Sequence, residues 1–132
     1  FMSNRGRQNV ASFLVKDMGQ NWQAGAAWFE HLLIDYDVCS NYGNWNYIAG
    51  IGNDPRENRY FNVLTQAAKY DANGQYVKLW CPELRKLPSG RIHEPYLLQL
   101  PEQRYVGVVL GVQYPHPCID IAHWRARQAT PK

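Results

Sequence analysis

The stretch Leu33-Ile-Asp-Tyr-Asp-Val-Cys-Ser-Asn-Tyr-Gly-Asn-Trp45 decides how this chain is read. Asp35, Asp37, Asn41 and Asn44 stand among aromatic and aliphatic neighbours in one compact run. Polar groups set that way point to a lined site rather than a plain core. Upstream, Trp22, Ala26, Phe29 and Leu33 fall at i, i+4, i+7 and i+11, the apolar stripe of a helix. Trp28 and Leu32 lie off that stripe and are apolar too, which predicts a helix buried on more than one side. Further back, Val10, Phe13, Leu14 and Met18 fall at i, i+3, i+4 and i+8 and predict an earlier helix. Gly19 to Asn21 breaks the two apart.

Downstream, residues 50–59 read as a loop by composition. Gly50 and Gly52 are no dinucleotide fingerprint, because no strand precedes them. Phe61 to Tyr70 reads as a helix, Asp71-Ala-Asn-Gly74 as a turn, and Tyr76 to Leu84 as another short helix. From Leu87 onward six prolines interrupt the chain and helical periodicity fades. The expectation is an all-α fold, with a helical domain over 1–86 and an irregular extension, 87–132, wrapping over it. Val106 to Val112 is β-branched enough for a short strand, although Gly107 and Gly111 weaken it. There are no repeats.

The chain's 132 residues are enough for one modest core, and 45% of them are apolar and 14% aromatic. No run of 18 apolar residues spans a membrane, and no secretory leader pattern is visible. Phe1 ahead of Met2 reads as a start inside a longer protein, a processed product or a fragment. A net charge of +3 biases the surface weakly toward polyanions. Cys39, Cys81 and Cys118 are odd in number and widely spaced, so they form no disulfide framework, and a reducing compartment is expected. His116, Cys118 and His123 lie close together but fit no standard zinc spacing, and no metal is expected.

Three stretches carry a resemblance: Met2-Ser-Asn-Arg-Gly-Arg-Gln8, Leu33 to Trp45, and Tyr76-Val-Lys-Leu-Trp-Cys-Pro-Glu-Leu84. In this order they resemble the flavin-binding helical domain of photolyases and cryptochromes. Gly50 to Asn62 and Ile92-His-Glu-Pro95 continue the likeness, which covers roughly residues 1–120. Gln8, where bacterial cyclobutane-dimer enzymes usually carry methionine, resembles the DASH branch. So do Tyr47, where they tend to carry tryptophan, and the run Gly52-Asn-Asp-Pro-Arg-Glu57. The resemblance places the chain in the carboxy-terminal part of the FAD-binding domain.

What the resemblance implies is specific. Asp37 would accept from the flavin N3–H, and Asn41 would stand at N5, as in photolyases and DASH proteins. A neutral amide there can donate or accept. Read from the residues alone, Asp37 and Asn41 would equally cap the next helix. Arg7 and Asp35 resemble an ion pair beside the flavin, where charges out of water need good hydrogen bonds; the plainer reading is a surface salt bridge. Asn4 resembles the active-site amide between flavin and lesion. Arg5 resembles a DNA-phosphate contact, and otherwise it is a solvated arginine. Trp45 and Trp22 resemble the inner and middle members of a tryptophan relay that reduces photoexcited flavin. Without the family they read as core packing, as Trp28, Trp80 and Trp124 do. Gln8, Tyr47 and Asn62 would line the mouth receiving a flipped pyrimidine dimer.

The resemblance also implies parts outside these residues: an antenna-binding α/β domain, the flavin phosphate-binding segment and the outer relay tryptophan. Half a cavity loses most ligand contacts, so this chain by itself is expected to bind FAD poorly and to be inactive. Two classes of function follow. One is a piece of a light-driven flavoprotein, a deoxyribodipyrimidine photolyase-like lyase acting on single-stranded DNA, or a photosensor, completed by a partner chain or further residues. The other is a structural subunit derived from such a protein and packed into a larger assembly. An intracellular setting is expected, in a plastid or mitochondrion.

Overall fold

The structure, a computed structural model, describes residues 2–51 and 60–129. Ser3 opens the first helix, α1 (Asn4–Ser12), its hydroxyl accepting from the Gly6 amide at 3.1 Å, a hydroxyl N-cap. The helix then widens into a π-helical turn over Phe13–Asp17, with the Met18 amide reaching back to the Phe13 carbonyl. That extra residue per turn shifts the helical phase, so the Val10-Phe13-Leu14-Met18 stripe does not stay on one face. Val10 is exposed, and Ala11 and Ser12 are buried in its place.

Gly19, at φ +64, and Asn21, which caps the Gln23 amide, make the expected break. The second helix, α2 (Trp22–Leu32), turns Ala26 and Phe29 inward. Trp28 and Leu32 are instead 62% and 55% exposed, so the helix is buried on one face and not on several. The reason is geometric: α2 packs chiefly on α3 (Val38–Ala49) and lightly on the π turn, which leaves the Trp28 side open. The first core cluster joins Ala11, Ala26, Phe29, Trp45 and Ile48, with Trp22, Tyr42, Tyr47 and Phe61 packed against it.

The chain divides into two compact units, Phe1–Phe61 and Asn62–Lys132. The expected loop 50–59 lies outside the described residues apart from Gly50, whose φ of +80 ends α3, and Ile51. In the second unit, α4 (Val63–Tyr70) and the turn to Gly74 fall where the sequence places them. The helix expected over Tyr76–Leu84 is α5 (Gln75–Trp80) followed by a 3-10 turn, Pro82–Leu84.

The stretch from Leu87 onward is not the irregular extension expected. It carries α6 (Leu100–Val106) and α7 (Ile121–Ala129). It also supplies Leu87, Ile92, Leu98 and Val108 to a second core built with Leu84. Two of its prolines open helical turns: Pro95 and Pro101 sit in first turns, where a missing N–H costs nothing. The strand expected over Val106–Val112 is absent, and Val109 to Tyr114 is a turn holding one isolated bridge, Leu110 with Tyr114. Gly107 and Gly111, at φ +73 and +87, are the reason, since that backbone breaks a strand. Of the three tryptophans read as packing residues, Trp124 is buried, while Trp28 and Trp80 are exposed.

Candidate functional site

Two of the polar residues quoted at the outset, Asp35 and Asn44, reach across to α1. On α1, Asn4, Arg7 and Gln8 stand at i, i+3 and i+4 and share a face. Across from them, Asn44 joins two of these side chains. Its amide donates to Asn4 Oδ1 at 2.8 Å, and its own Oδ1 takes a long 3.5 Å contact from Gln8 Nε2. Arg7 donates to Asp35 Oδ2 at 2.6 Å and to the Met2 carbonyl at 3.0 Å. The pair is partly open, with the Asp35 side chain 37% exposed. The guanidinium holds the Asp35 carboxyl below its ordinary range.

Asp37 does what the plainer reading allows. It caps α3, its Oδ1 accepting from the Ser40 amide at 2.7 Å. That bond, first of all, keeps its carboxyl below the usual range. Asn41 is not a cap. It lies inside α3, 5% exposed, and its Nδ2 donates to the Ala26 carbonyl on α2 at 3.0 Å. That bond fixes the amide's orientation, so Oδ1 is the acceptor end.

One turn further along α3 stands Trp45, 1% exposed and edge-on to Phe29 at 5.2 Å. Asn41 and Trp45, at i and i+4, are therefore neighbours on one helical face. Gly25 on α2 makes room for the indole: a Cβ there would stand 2.2 Å from the Trp45 ring. Trp22 opens α2, half-buried against the same core cluster, and meets Tyr42 edge-on at 6.4 Å.

Not every expected residue joins these contacts. Arg5 is exposed on α1, and its carbonyl accepts from Asn9 Nδ2. Tyr47 is half-buried on the core cluster. Asn62 belongs to the second unit, where both ends of its amide are engaged. Its Oδ1 caps the Thr65 amide at 2.9 Å and its Nδ2 donates to the Gln128 carbonyl at 2.6 Å. These two bonds tie the start of α4 to α7 within the second unit.

Sequence reasoning left Asn44 and Gly25 out of the site. Asn44 was visible as one of four polar residues in the decisive stretch, but its bridge to Asn4 spans forty residues. Gly25 had a weaker signal, a glycine inside a helical pattern. Glu30 was not legible: it receives the Tyr42 hydroxyl at 3.0 Å.

The donor set suits the ring of a flavin. A buried acceptor amide, exposed carboxylates and a guanidinium can meet its mixed edge, and an oxidisable indole lies one turn away. The family profile described as the FAD binding domain of DNA photolyase matches residues 1–130. The chain belongs to this photolyase and cryptochrome family.

Within it, the chain is 62% identical to the cryptochrome DASH of Synechocystis sp. over 120 residues, 91% of this chain and 24% of that protein. It is likewise 62% identical over 95 residues, 72% of the chain and 17% of the relative, to the chloroplastic/mitochondrial cryptochrome DASH of Arabidopsis thaliana. The crystal structure of a Synechocystis sp. cryptochrome superposes with a TM-score of 0.88 at 58% identity, covering 97% of this chain and 26% of that one. The chain thus spans about a quarter of the length of these proteins. These matches establish a portion of the FAD-binding domain. The carboxy-terminal placement expected from the sequence is not borne out by them.

Proposed function

We propose that this chain is a wall of the flavin site in a blue-light-absorbing DASH-type protein, with polar residues of α1 and α3 facing the isoalloxazine ring. The observation that carries the reading is the pairing of Asn41 and Trp45, buried one turn apart on α3. Bound FAD would supply blue-light absorption and one-electron chemistry. Asn41 Oδ1 would accept from a protonated ring nitrogen. Asp37, exposed at the start of α3, would accept from a second N–H. Arg7 and Asp35 would set the local field, and Asn4, held by Asn44, would stand between ring and substrate. Trp45 would donate the first electron and Trp22 would refill it.

For the complete protein, the reading extends to light-driven repair of pyrimidine dimers in single-stranded DNA, or to photosensing. Arg5 would contact phosphate, and Gln8 and Tyr47 would line the mouth. The relatives' plastid and mitochondrial naming supports an organellar setting where the source is a plant. The deciding experiment uses the complete protein with bound FAD under blue light. Trp45→Phe is expected to keep the flavin and lose its photoreduction. Undiminished photoreduction in that variant would overturn the reading.

A second reading, a structural subunit without photochemistry, is favoured by one observation. Trp28, Leu32, Ile34 and Val38 are all exposed on or just after α2, and apolar groups so placed suit contact with another chain. A native polypeptide much shorter than the relatives, purified within an assembly and without flavin, would support it.

A further inference from the structure

Tyr42 and Glu30, which stand beside Trp22, have no part in the roles given above. Trp22 begins α2, Glu30 lies on the same helix two turns later, and Tyr42 reaches both from α3. The Tyr42 ring meets Trp22 at 6.4 Å between centroids and 87° between planes. Its hydroxyl donates to Glu30 Oε2 at 3.0 Å. Glu30 is exposed, and Tyr36 stands beside it.

This arrangement meets the chemical demand of oxidising a phenol. A phenol that loses an electron becomes a strong acid, so the electron leaves easily only if a base takes the proton at once. A carboxylate already hydrogen-bonded to the hydroxyl is such a base. An indole edge-on to the phenol ring, 6.4 Å away between centroids, is a suitable electron acceptor once it is itself oxidised.

We propose that Tyr42, with Glu30 as its proton acceptor, is a further redox residue that refills an oxidised Trp22 and carries the oxidation to the outer surface of α2 and α3. The inference rests on the reading of Trp45 and Trp22 as an electron relay to light-excited flavin, which supplies the oxidised Trp22. In the step, one electron passes from the Tyr42 ring to the Trp22 radical cation and restores the neutral indole. The Tyr42 O–H bond breaks, and its proton forms a new O–H bond on Glu30 Oε2. The products are a neutral tyrosyl radical and a neutral carboxylic acid, so charge and electrons balance. Glu30, open to water, then returns the proton or releases it. The Glu30 hydrogen bond is also the chief cause raising the Tyr42 phenol above its ordinary range, with burial second.

The test is flash photolysis of the complete, FAD-loaded protein, read by transient absorption and electron paramagnetic resonance. The expected sequence is a tryptophan radical followed by a neutral tyrosyl radical. Tyr42→Phe should lose the tyrosyl signal and prolong the tryptophan radical. Glu30→Gln keeps a polar partner without a base and should lower the tyrosyl yield. Trp22→Phe should lose the tyrosyl radical although Tyr42 is intact. Retained flavin absorbance shows that each variant is folded. A tryptophan radical with no tyrosyl radical in the unaltered protein overturns the proposal and leaves the relay standing, as does a tyrosyl signal that survives Tyr42→Phe. No tryptophan radical at all overturns the relay and this step together. A readout free of flavin is the tyrosine-ring carbon resonance of Tyr42 in this chain. Glu30→Gln should bring its phenol titration down toward the ordinary value, and an unmoved titration would remove the contact on which the step depends.

Discussion

Asn41 illustrates how one side chain serves the fold and the candidate site together. Its Nδ2 satisfies the Ala26 carbonyl in a buried setting. Removing one partner of such a bond leaves the other unsatisfied, at about 1–3 kcal/mol. Asn41→Ala is therefore expected to lower the unfolding free energy by that amount, measured by urea denaturation followed through tryptophan fluorescence. Asp35 makes a prediction in pH. Arg7 holds its folded-state pKa below the value of the unfolded chain. The stabilisation is thus present above about pH 4, the unfolded carboxyl value, and is lost as pH falls through the lower folded value. Asp35→Asn should flatten the acid limb of the stability profile without changing its neutral plateau's slope. An acid limb identical to the parent's would show that the pair carries no thermodynamic weight.

Between α2 and α3 the decisive feature is the space left by Gly25. The indole of Trp45 occupies the volume where a Cβ would stand, and Leu14 approaches the same point at 2.7 Å. Gly25→Ala must displace a helix or an indole, and overpacking of this kind costs about 1–3 kcal/mol. The expected outcome is a lowered thermal midpoint with a shifted Trp45 emission, and in the complete protein a changed photoreduction rate. An unchanged midpoint would mean that the helices separate without strain. In the second unit, Gln103 on α6 plays a comparable part, donating to the Leu98 carbonyl and accepting from the Leu110 amide. It anchors both ends of a helix whose two proline-flanked neighbours have little regular structure of their own.

For the molecule as a whole, two cores have to be stabilised by one short chain. Ile92 is 1% exposed in the second of them, filling the place where a side chain on Gly74 would intrude. Ile92→Ala is expected to cost about 2–5 kcal/mol, seen as early loss of helical circular dichroism on heating. A midpoint unmoved by that truncation would show that the second core carries no cooperative stability. The chain spans about a quarter of the Synechocystis sp. relative, and on the proposed reading it would hold only part of the flavin cavity. It is expected to elute without stoichiometric FAD after mixing, whereas the complete protein should be yellow. No helix among the described residues is long and apolar enough to cross a membrane.

The helical class, the break at Gly19 to Asn21, the turn at Asp71 to Gly74 and the family were legible in the amino-acid order alone. Each is set by local chemistry: periodicity, caps, glycine backbone, or motifs of consecutive residues. The order of residues also placed Asp35, Asp37, Asn41 and Asn44 in one lined stretch. It did not show that Asp37 caps while Asn41 ties two helices, because that depends on how α2 lies against α3. Nor did it show the Asn4–Asn44 bridge, the Tyr42–Glu30 pair or the cavity over Gly25, which join residues far apart in the chain. The helices α6 and α7 within the proline-rich stretch were not legible for the same reason: prolines end one periodic pattern, but only packing around Leu84, Leu87 and Ile92 shows that new helices begin. Local sequence fixes which elements can form. Which faces they bury, and which polar groups meet, is decided when the elements pack.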